Sequence, residues 1–293
     1  MKIVSITHAA AIALCAGFCL LTRTAFAQNE AGPDLSIELV DPKVLRVCAD
    51  PRNLPFSNEA GEGFENKLAE MLAQKLGKSL AYTYYPSATG FIRNTLNAHK
   101  CDVVMGYPQG DDFVQPTNPY YRTAYILVAR KDAGLAGLDS LEDPRLRGKK
   151  IGIIAGTPPA TNLAVNGLLP SIHSYPLVID TRFDSSTDKM FQDLQTGNID
   201  IAILWGPIGG YFVKNAKSDL NAKSDLAVIP LVQEKSGPRM AYRIGMGVRH
   251  SDQNWKRELN RFIAENQNAI NRLLANYGVP LLDEQDKPIR AEP

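Results

Sequence analysis

Hydrophobic residues along the chain alternate between short β-rich runs and longer segments with helical spacing. The run at 44–49 ends at Asp50 and a following proline, which is typical of a buried parallel strand closed by turn residues. Apolar side chains then recur every three or four positions over 64–76, and Gly77 can end a helix there as its C-cap. The first hundred residues therefore predict a strand followed by an amphipathic helix.

The same alternation continues to the C-terminus. Further strands are predicted at 80–85, 102–106, 125–130, 150–155, 177–180, 200–204 and 243–248. Further helices are predicted at 90–100, from about Pro158, at 187–196, and as two separate C-terminal helices near 255–263 and 270–277. This order predicts an α/β fold with two lobes, in which parallel-type sheets flanked by helices meet at a hinge and a central cleft.

The predicted domains follow from where this pattern breaks. A cleavable secretory signal is expected at 1–27, because Lys2, an apolar run and small residues at Ala25 and Ala27 have the required order. The alternative is a membrane anchor, but the strongly apolar part is shorter than the roughly 20 residues a span needs. An N-terminal tail is predicted at 28–43. Lobe one is predicted at 44–123 and 244–293, and lobe two at 124–243.

Charge changes this picture little. The chain has 293 residues with 32 Lys and Arg against 31 Asp and Glu, a net charge of +1. Removal of the signal takes away Lys2 and Arg23, so the mature charge is +1 − 2 = −1. A near-neutral chain has no field to attract nucleic acid or anionic lipid. We expect a periplasmic protein with no nucleic-acid partner and no membrane span after processing.

Two cysteines, Cys48 and Cys101, lie outside the signal. An even pair in an oxidising compartment predicts one disulfide, and the alternative is two buried thiols. The sequence has neither a Cys-x-x-Cys motif nor Cys/His spacing typical of zinc sites. We therefore expect no metal site and no cofactor.

Motifs of common enzyme classes are also missing. There is no Gly-x-Ser-x-Gly nucleophile elbow, no P-loop and no Gly-x-Gly-x-x-Gly fingerprint. The histidines His99, His173 and His250 are far apart and have no Ser or Cys motif beside them. We therefore do not expect an enzyme.

Several strings in the chain give it a family resemblance. The strings are LRVCAD at 45–50, GFENKLA at 63–69, LRGKKIG at 146–152 followed by GT at 156–157, and GNIDIA at 197–202. With the order of elements, they make the mature chain resemble the type 2 periplasmic substrate-binding proteins of ABC transporters. That resemblance implies a binding protein with a hinged, two-lobed fold.

A narrower resemblance lies within the first. Its strings are CADPRNLPFS at 48–57, GFIRNTL at 90–96, CDVVMG at 101–106 and PYYR at 119–122. They look like the MoxJ/XoxJ proteins, which accompany periplasmic quinoprotein methanol dehydrogenases. The resemblance implies a role in the maturation or activation of such a dehydrogenase.

Amino-acid-binding relatives hold their ligand with two charged groups that this chain lacks. Their ligand carboxylate is bound by an Arg in the stretch that corresponds to 107–113, where this sequence has no Arg but has Asp111 and Asp112. Their ligand ammonium is bound by an Asp at the position of Trp205. A standard amino acid would therefore leave its charges unpaired in a closed cleft.

The remaining candidates for contact with a ligand or partner are polar or aromatic residues near the predicted cleft. They are Asn53, Phe56, Ser57, Phe64, Glu65, Arg93, Tyr107, Tyr120, Gly156, Thr157, Trp205 and Tyr211. Arg93 is either a substitute cation or a solvent-facing helix residue. Gly156 and Thr157 precede a helix whose N-terminus either binds an anion or is an ordinary hydrated cap. The aromatic residues are either cleft walls suited to a protein segment or core packing.

Three functions remain open from the sequence. The first is an accessory or activating partner of a PQQ-dependent (quinoprotein) methanol dehydrogenase, with or without its cytochrome c and a small ligand of unknown identity. The alternative is a receptor that delivers a small organic ligand, not a standard amino acid, to an ABC transporter. The third is a hydrolase or cofactor-processing enzyme.

Overall fold

A computed structural model describes residues 38–110, 112–218 and 226–289. The predicted signal at 1–27 lies outside the described residues, as does most of the predicted tail at 28–43. Within the described residues, no helix has the length and apolar character needed to cross a membrane.

The described residues form strands and helices that alternate along most of the chain. The strands are β1 (Val44–Ala49), β2 (Arg52–Asn53), β3 (Ser57–Asn58), β4 (Ser79–Tyr84), β5 (Val103–Pro108), β6 (Gln115–Pro116), β7 (Tyr121–Arg130), β8 (Ile151–Ile154), β9 (Ile172–Tyr175), β10 (Ile201–Trp205), β11 (Leu226–Pro230) and β12 (Ala241–Val248). The helices are α1 (Phe64–Leu76), α2 (Phe91–Asn94), α3 (Pro158–Val165), α4 (Ser186–Thr196), α5 (Gly206–Ser218) and α6 (Gln253–Asn276).

One path of paired strands runs through the described residues in the order β4-β1-β5-β12-β7-β10-β8-β9. The long strand β7 joins its two parts, because β7 pairs with β12 at Tyr121 and with β10 at Tyr125. We call the strands on the β12 side the first sheet half and those on the β10 side the second sheet half. Pairing within each half is partly parallel, as predicted, whereas the pairs that β7 makes are antiparallel.

Helix α1 forms where the apolar spacing predicts it. Phe64, Leu68 and Leu72 are fully buried against the first sheet half, and Gly77 ends the helix with φ of 64°. Only glycine adopts that left-handed conformation without strain from a side chain. The predicted helix end is therefore confirmed. Helix α6 packs against α1 and completes this core.

The predicted disulfide is present. Cys48 and Cys101 are bridged, with their Cα atoms 5.4 Å apart. Cys48 lies beside Val104 in the parallel pairing of β1 with β5, and the segment before β5 brings Cys101 back to it. The bridge therefore joins the first strand to the start of the third strand of its sheet half.

The structure differs from the predicted elements at several places. The helix predicted at 90–100 is only the short α2, because the backbone leaves the helical conformation at Thr95 (φ −119°, ψ −81°) and the chain then turns towards Cys101. The strand predicted at 177–180 is wrong, and β9 precedes that segment. The two predicted C-terminal helices are one continuous helix, α6. Helix α5 was not expected from the sequence at all.

Candidate functional site

A cavity of about 600 Å³ lies between the two sheet halves. One wall comes from β5, the segment after β1 and the start of α1, and the other from β10, the loop after β8 and the segment after β9. A volume of this size is in the range that holds small organic molecules or a few side chains. We call it the inter-half cavity.

Three aromatic rings form one end of the inter-half cavity. Tyr125 and Trp205 are partners across the β7–β10 pairing, with ring centroids 5.2 Å apart. Tyr242, the second residue of β12, places its ring 5.7 Å from Trp205 and 6.5 Å from Tyr125. Edge-on packing of this kind fixes the rings against one another. We call these three residues the aromatic triad.

Burial also affects the tyrosines of the cavity wall. It raises the pKa of Tyr125 to about 12 and raises the pKa of Tyr121 well above its ordinary value. Both phenols are therefore neutral near pH 7 and act only as hydrogen-bonding or apolar surface. The wall opposite the triad adds the rings of Phe56 and Tyr107.

Among the described residues that line the cavity, two have carboxyl groups, Asp50 and Glu65, and none is basic. Asp50 follows β1 and is 6% exposed. Its carboxylate accepts hydrogen bonds from the backbone N–H groups of Arg52 (2.8 Å) and Ser87. It is thus held by backbone donors rather than by a basic side chain.

Glu65 lies in the first turn of α1, where its N–H donates to the Phe56 carbonyl (2.9 Å). Its carboxyl has no hydrogen bond or ion pair with the described residues. It occupies the space beside Gly106, where an added Cβ would lie 2.1 Å from its Oε1 atom. Burial, together with the nearby charge of Asp50, raises the pKa of Glu65 to about 8. Glu65 is therefore mainly a neutral carboxylic acid at pH 7.

The N-terminus of α3 borders the same cavity through Thr157. Thr157 is the N-cap residue, as predicted, but its hydroxyl donates to the Ile154 carbonyl (2.6 Å) rather than capping the helix. Pro158 and Pro159 have no N–H group, and the N–H of Ala160 donates to the Thr157 carbonyl (3.0 Å). This helix start therefore has few donors to offer an anion.

The structure brings seven of the twelve predicted site residues to the cavity wall. They are Asn53, Phe56, Ser57, Glu65, Tyr107, Thr157 and Trp205. The other five do not line it. Phe64 and Tyr120 are buried in the core, Arg93 is exposed on α2, Gly156 lies in the turn before Thr157, and Tyr211 stacks on Tyr277. Arg93 therefore supplies no cation to the cavity wall.

Among the wall residues that sequence reasoning missed are Asp50, Tyr125 and Tyr242. Asp50 follows a predicted strand at the edge where ligands bind in such sheets, so its position could have been recognised. The two tyrosines depend on the way β7 pairs with β10 and β12, and that register cannot be obtained from the pattern alone.

The described residues contain no group of three or more His, Cys, Asp or Glu placed to hold a metal ion. The inter-half cavity combines an aromatic end, apolar sides and two acids. Chemically, such a surface can hold an apolar body and a positively charged or hydrogen-bond-donating head.

Comparison with known proteins identifies the family. The family model described as bacterial extracellular solute-binding proteins, family 3, matches residues 45–279, and the chain belongs to that family. The crystal structure of periplasmic binding protein XoxJ from Methylobacterium extorquens AM1 is 41% identical, with a TM-score of 0.68, and the match covers 82% of this chain and all of that one.

Two relatives from different bacteria share one name. Protein MoxJ of Paracoccus denitrificans is 28% identical over 265 residues, which is 83% of this chain and 91% of the relative. Protein MoxJ of Methylorubrum extorquens is 28% identical over 295 residues, 94% and 96% of the two chains. The predicted type 2 binding-protein fold and the predicted resemblance to the MoxJ/XoxJ proteins are both confirmed.

Proposed function

We propose that this protein is a periplasmic accessory protein of a quinoprotein methanol dehydrogenase and that it holds a segment of that enzyme in the inter-half cavity. The observation that carries the proposal is the 41% identity with XoxJ over the whole of that chain, together with a cavity unsuited to free amino acids. The predicted secretory signal would bring the protein to the compartment of such an enzyme.

The cavity wall supports the argument against an amino-acid receptor. An amino acid needs a cationic partner for its α-carboxylate, and the described residues that line the cavity include no Lys, Arg or His. The two acids there, Asp50 and Glu65, offer that carboxylate no positive charge. The predicted loss of both charged clamps thus agrees with the chemistry of the wall.

A surface next to the cavity supports the binding of a protein rather than a free solute. Leu177 lines the cavity and is 59% exposed, and the same loop presents Val178 and Phe183, which are 80% and 84% exposed. Large exposed apolar side chains in one segment are typical of protein contact surfaces. A dehydrogenase segment could enter the cavity while the flanking surface packs on this loop.

The second candidate is a receptor for a small, apolar, non-zwitterionic ligand, favoured by the family and by the cavity volume. The predicted division into lobes at 44–123 with 244–293 and at 124–243 serves either function, since closure of the lobes would enclose the occupant. This division into lobes is part of the proposal.

Replacement of Trp205 by Ala tests the accessory function. The change removes the central ring of the aromatic triad, and we expect binding to the purified dehydrogenase to weaken by about 2 kcal/mol or more, as for a buried aromatic anchor. Calorimetry or biolayer interferometry measures the affinity, and circular dichroism checks the fold. The matched control is Tyr211→Ala, an aromatic change outside the cavity. Unchanged affinity for Trp205→Ala, or no dehydrogenase binding by the wild type, would overturn the proposal.

A further inference from the structure

The charge balance of the inter-half cavity is one-sided. Its described lining holds two carboxyl groups and no basic side chain, although the protein as a whole is almost neutral. A buried acid is ordinarily paired with a cation or hydrogen-bonded, because an unpaired one is costly. Asp50 is satisfied by backbone donors, whereas Glu65 is not.

Glu65 also has space around it that the fold keeps open. Gly106 is the residue beside its carboxyl, and any side chain there would displace Oε1. The carboxyl borders an open volume rather than packed core. A hydrogen-bonding or charged group of an occupant could therefore reach it without moving the backbone.

The rest of the lining fits the other end of the same occupant. The aromatic triad and the rings of Phe56 and Tyr121 supply faces that attract a positive charge and pack on an aliphatic chain. Aromatic faces together with a carboxylate form the usual surroundings of a bound ammonium or guanidinium group. Neither feature would favour an anion.

We propose that the inter-half cavity binds a cationic nitrogen, an ammonium or guanidinium group on an apolar stem without a neighbouring carboxylate, and that Glu65 pairs with it as the ionised carboxylate. This inference deepens the proposed function, because the stem could be a Lys or Arg side chain of the inserted dehydrogenase segment. A free alkylamine has the same chemistry, and the experiments below distinguish the two sources.

Pairing with a cation requires Glu65 to lose its proton. The titratable groups around it are Asp50 after β1, Tyr82 on β4, Tyr120 directly before β7 and Tyr121 at its start. Burial raises the pKa of each of these tyrosines, to about 12 for Tyr82, so none of them ionises near pH 8. Since the free carboxyl has a pKa of about 8, binding at pH 7 should release close to one proton.

Calorimetry with hexylamine tests the proposal on the wild-type protein. We expect hexylammonium to bind at least about tenfold more tightly than 1-hexanol, which has the same stem and no charge. Affinity should rise about tenfold per pH unit from pH 6 to about 8 and then level off, since the ionised fraction of the carboxyl follows that course. Titrations in phosphate and Tris buffers measure the released proton. Equal affinity for the alcohol, or affinity that falls with pH, would overturn the proposal.

The Glu65→Gln variant removes the carboxylate and keeps the shape of the side chain. Hexylammonium should bind at least about tenfold more weakly to it, without proton release or pH dependence. The matched control is Glu70→Gln on the exposed part of α1, which should bind as the wild type does. If Glu65→Gln binds hexylammonium with wild-type affinity, the assignment of Glu65 is wrong.

Competition identifies the source of the cation. If the cation belongs to the dehydrogenase, hexylammonium should displace it, and Glu65→Gln should weaken the complex. Amine binding without competition would support a free amine as the occupant and would count against an inserted Lys or Arg. Dehydrogenase binding with no amine binding would refute the cation site and leave the accessory function standing.

Discussion

Two acids next to β5 are in opposite situations. Asp102, directly before the strand, is fully buried and bound by two guanidinium groups, those of Arg46 (2.7 Å) and Arg249 (2.7 Å). Glu65, beside Gly106 in the same strand, has no partner among the described residues. The Asp102 carboxylate thus has cationic partners within the protein, whereas the Glu65 carboxyl has none among the described residues.

The contacts around Asp102 explain its structural role. Arg249 also donates to the Cys101 carbonyl (2.6 Å) and pairs with Asp252 (2.7 Å), and the Trp255 indole donates to the Asp102 carbonyl (3.0 Å). These bonds tie the start of α6 to the segment that contains the disulfide. Glu65 borders the inter-half cavity instead. The difference teaches that an acid without a partner at a cavity wall, more than a fully buried acid, marks a site.

The largest expected effect is a loss of stability when the ion pairs around Asp102 are broken. Replacement of Arg249 by Met leaves Asp252 without its cation and Asp102 with one of two, so the free energy of unfolding should fall by about 3–5 kcal/mol. Urea denaturation measures the change. The control is Arg243→Met, which breaks an exposed pair with Glu284 and should cost less than about 1 kcal/mol. Equal losses would remove the distinction between buried and exposed pairs.

Glu65 should have a smaller effect on stability, and that effect depends on pH. The pKa of Glu65 is raised from 4.5 to about 8, so between those values the folded chain binds more protons than the unfolded one. The stabilisation is full below pH 4.5 and is lost as pH rises to 8. The free energy of unfolding should thus fall by up to about 1.4 kcal/mol per pH unit in that window.

Unfolding of Glu65→Gln at several pH values isolates this contribution. The wild type should lose about 2 kcal/mol relative to the variant between pH 5 and pH 7, within the limit set by proton linkage. Glu70→Gln, whose carboxyl is exposed beside Lys67, should follow the wild type over the same range. Parallel curves for the wild type and Glu65→Gln would mean that the carboxyl at the cavity titrates normally.

The sequence predicted local elements better than elements that depend on distant contacts. The periodicity of α1 and its glycine stop are properties of one segment, so they were predictable. Helix α5 contains Gly209 and Gly210, which weaken a helix by propensity. The structure requires them, because a Cβ at Gly210 would lie 1.9 Å from the Gly278 carbonyl oxygen. A tertiary contact overrides local preference there.

The site shows the same limit. Phe56, Glu65 and Trp205 follow or end predicted strands or begin a predicted helix, so the edge of the sheet could be located from sequence. The strand was predicted at 177–180 instead of at β9. The reason is that β9 is a polar edge strand, with His173 and Ser174 exposed, and has no hydrophobic pattern to identify it. The lack of a cation beside Glu65 depends on which residues are its neighbours in three dimensions, so no sequence pattern could predict it.

The smallest expected effect comes from Gly106→Ala. The added methyl would lie 2.1 Å from Oε1 of Glu65, so the flexible carboxyl must move, at a cost of about 1 kcal/mol. The next atom outside Glu65 is the Tyr120 hydroxyl at 3.8 Å, an ordinary contact. In a Glu65→Ala background the same change should therefore cost almost nothing. A double-mutant cycle by urea denaturation should give a coupling of about 0.5–1 kcal/mol. A coupling of zero would show that Gly106 is not the residue that makes room for the unpaired acid.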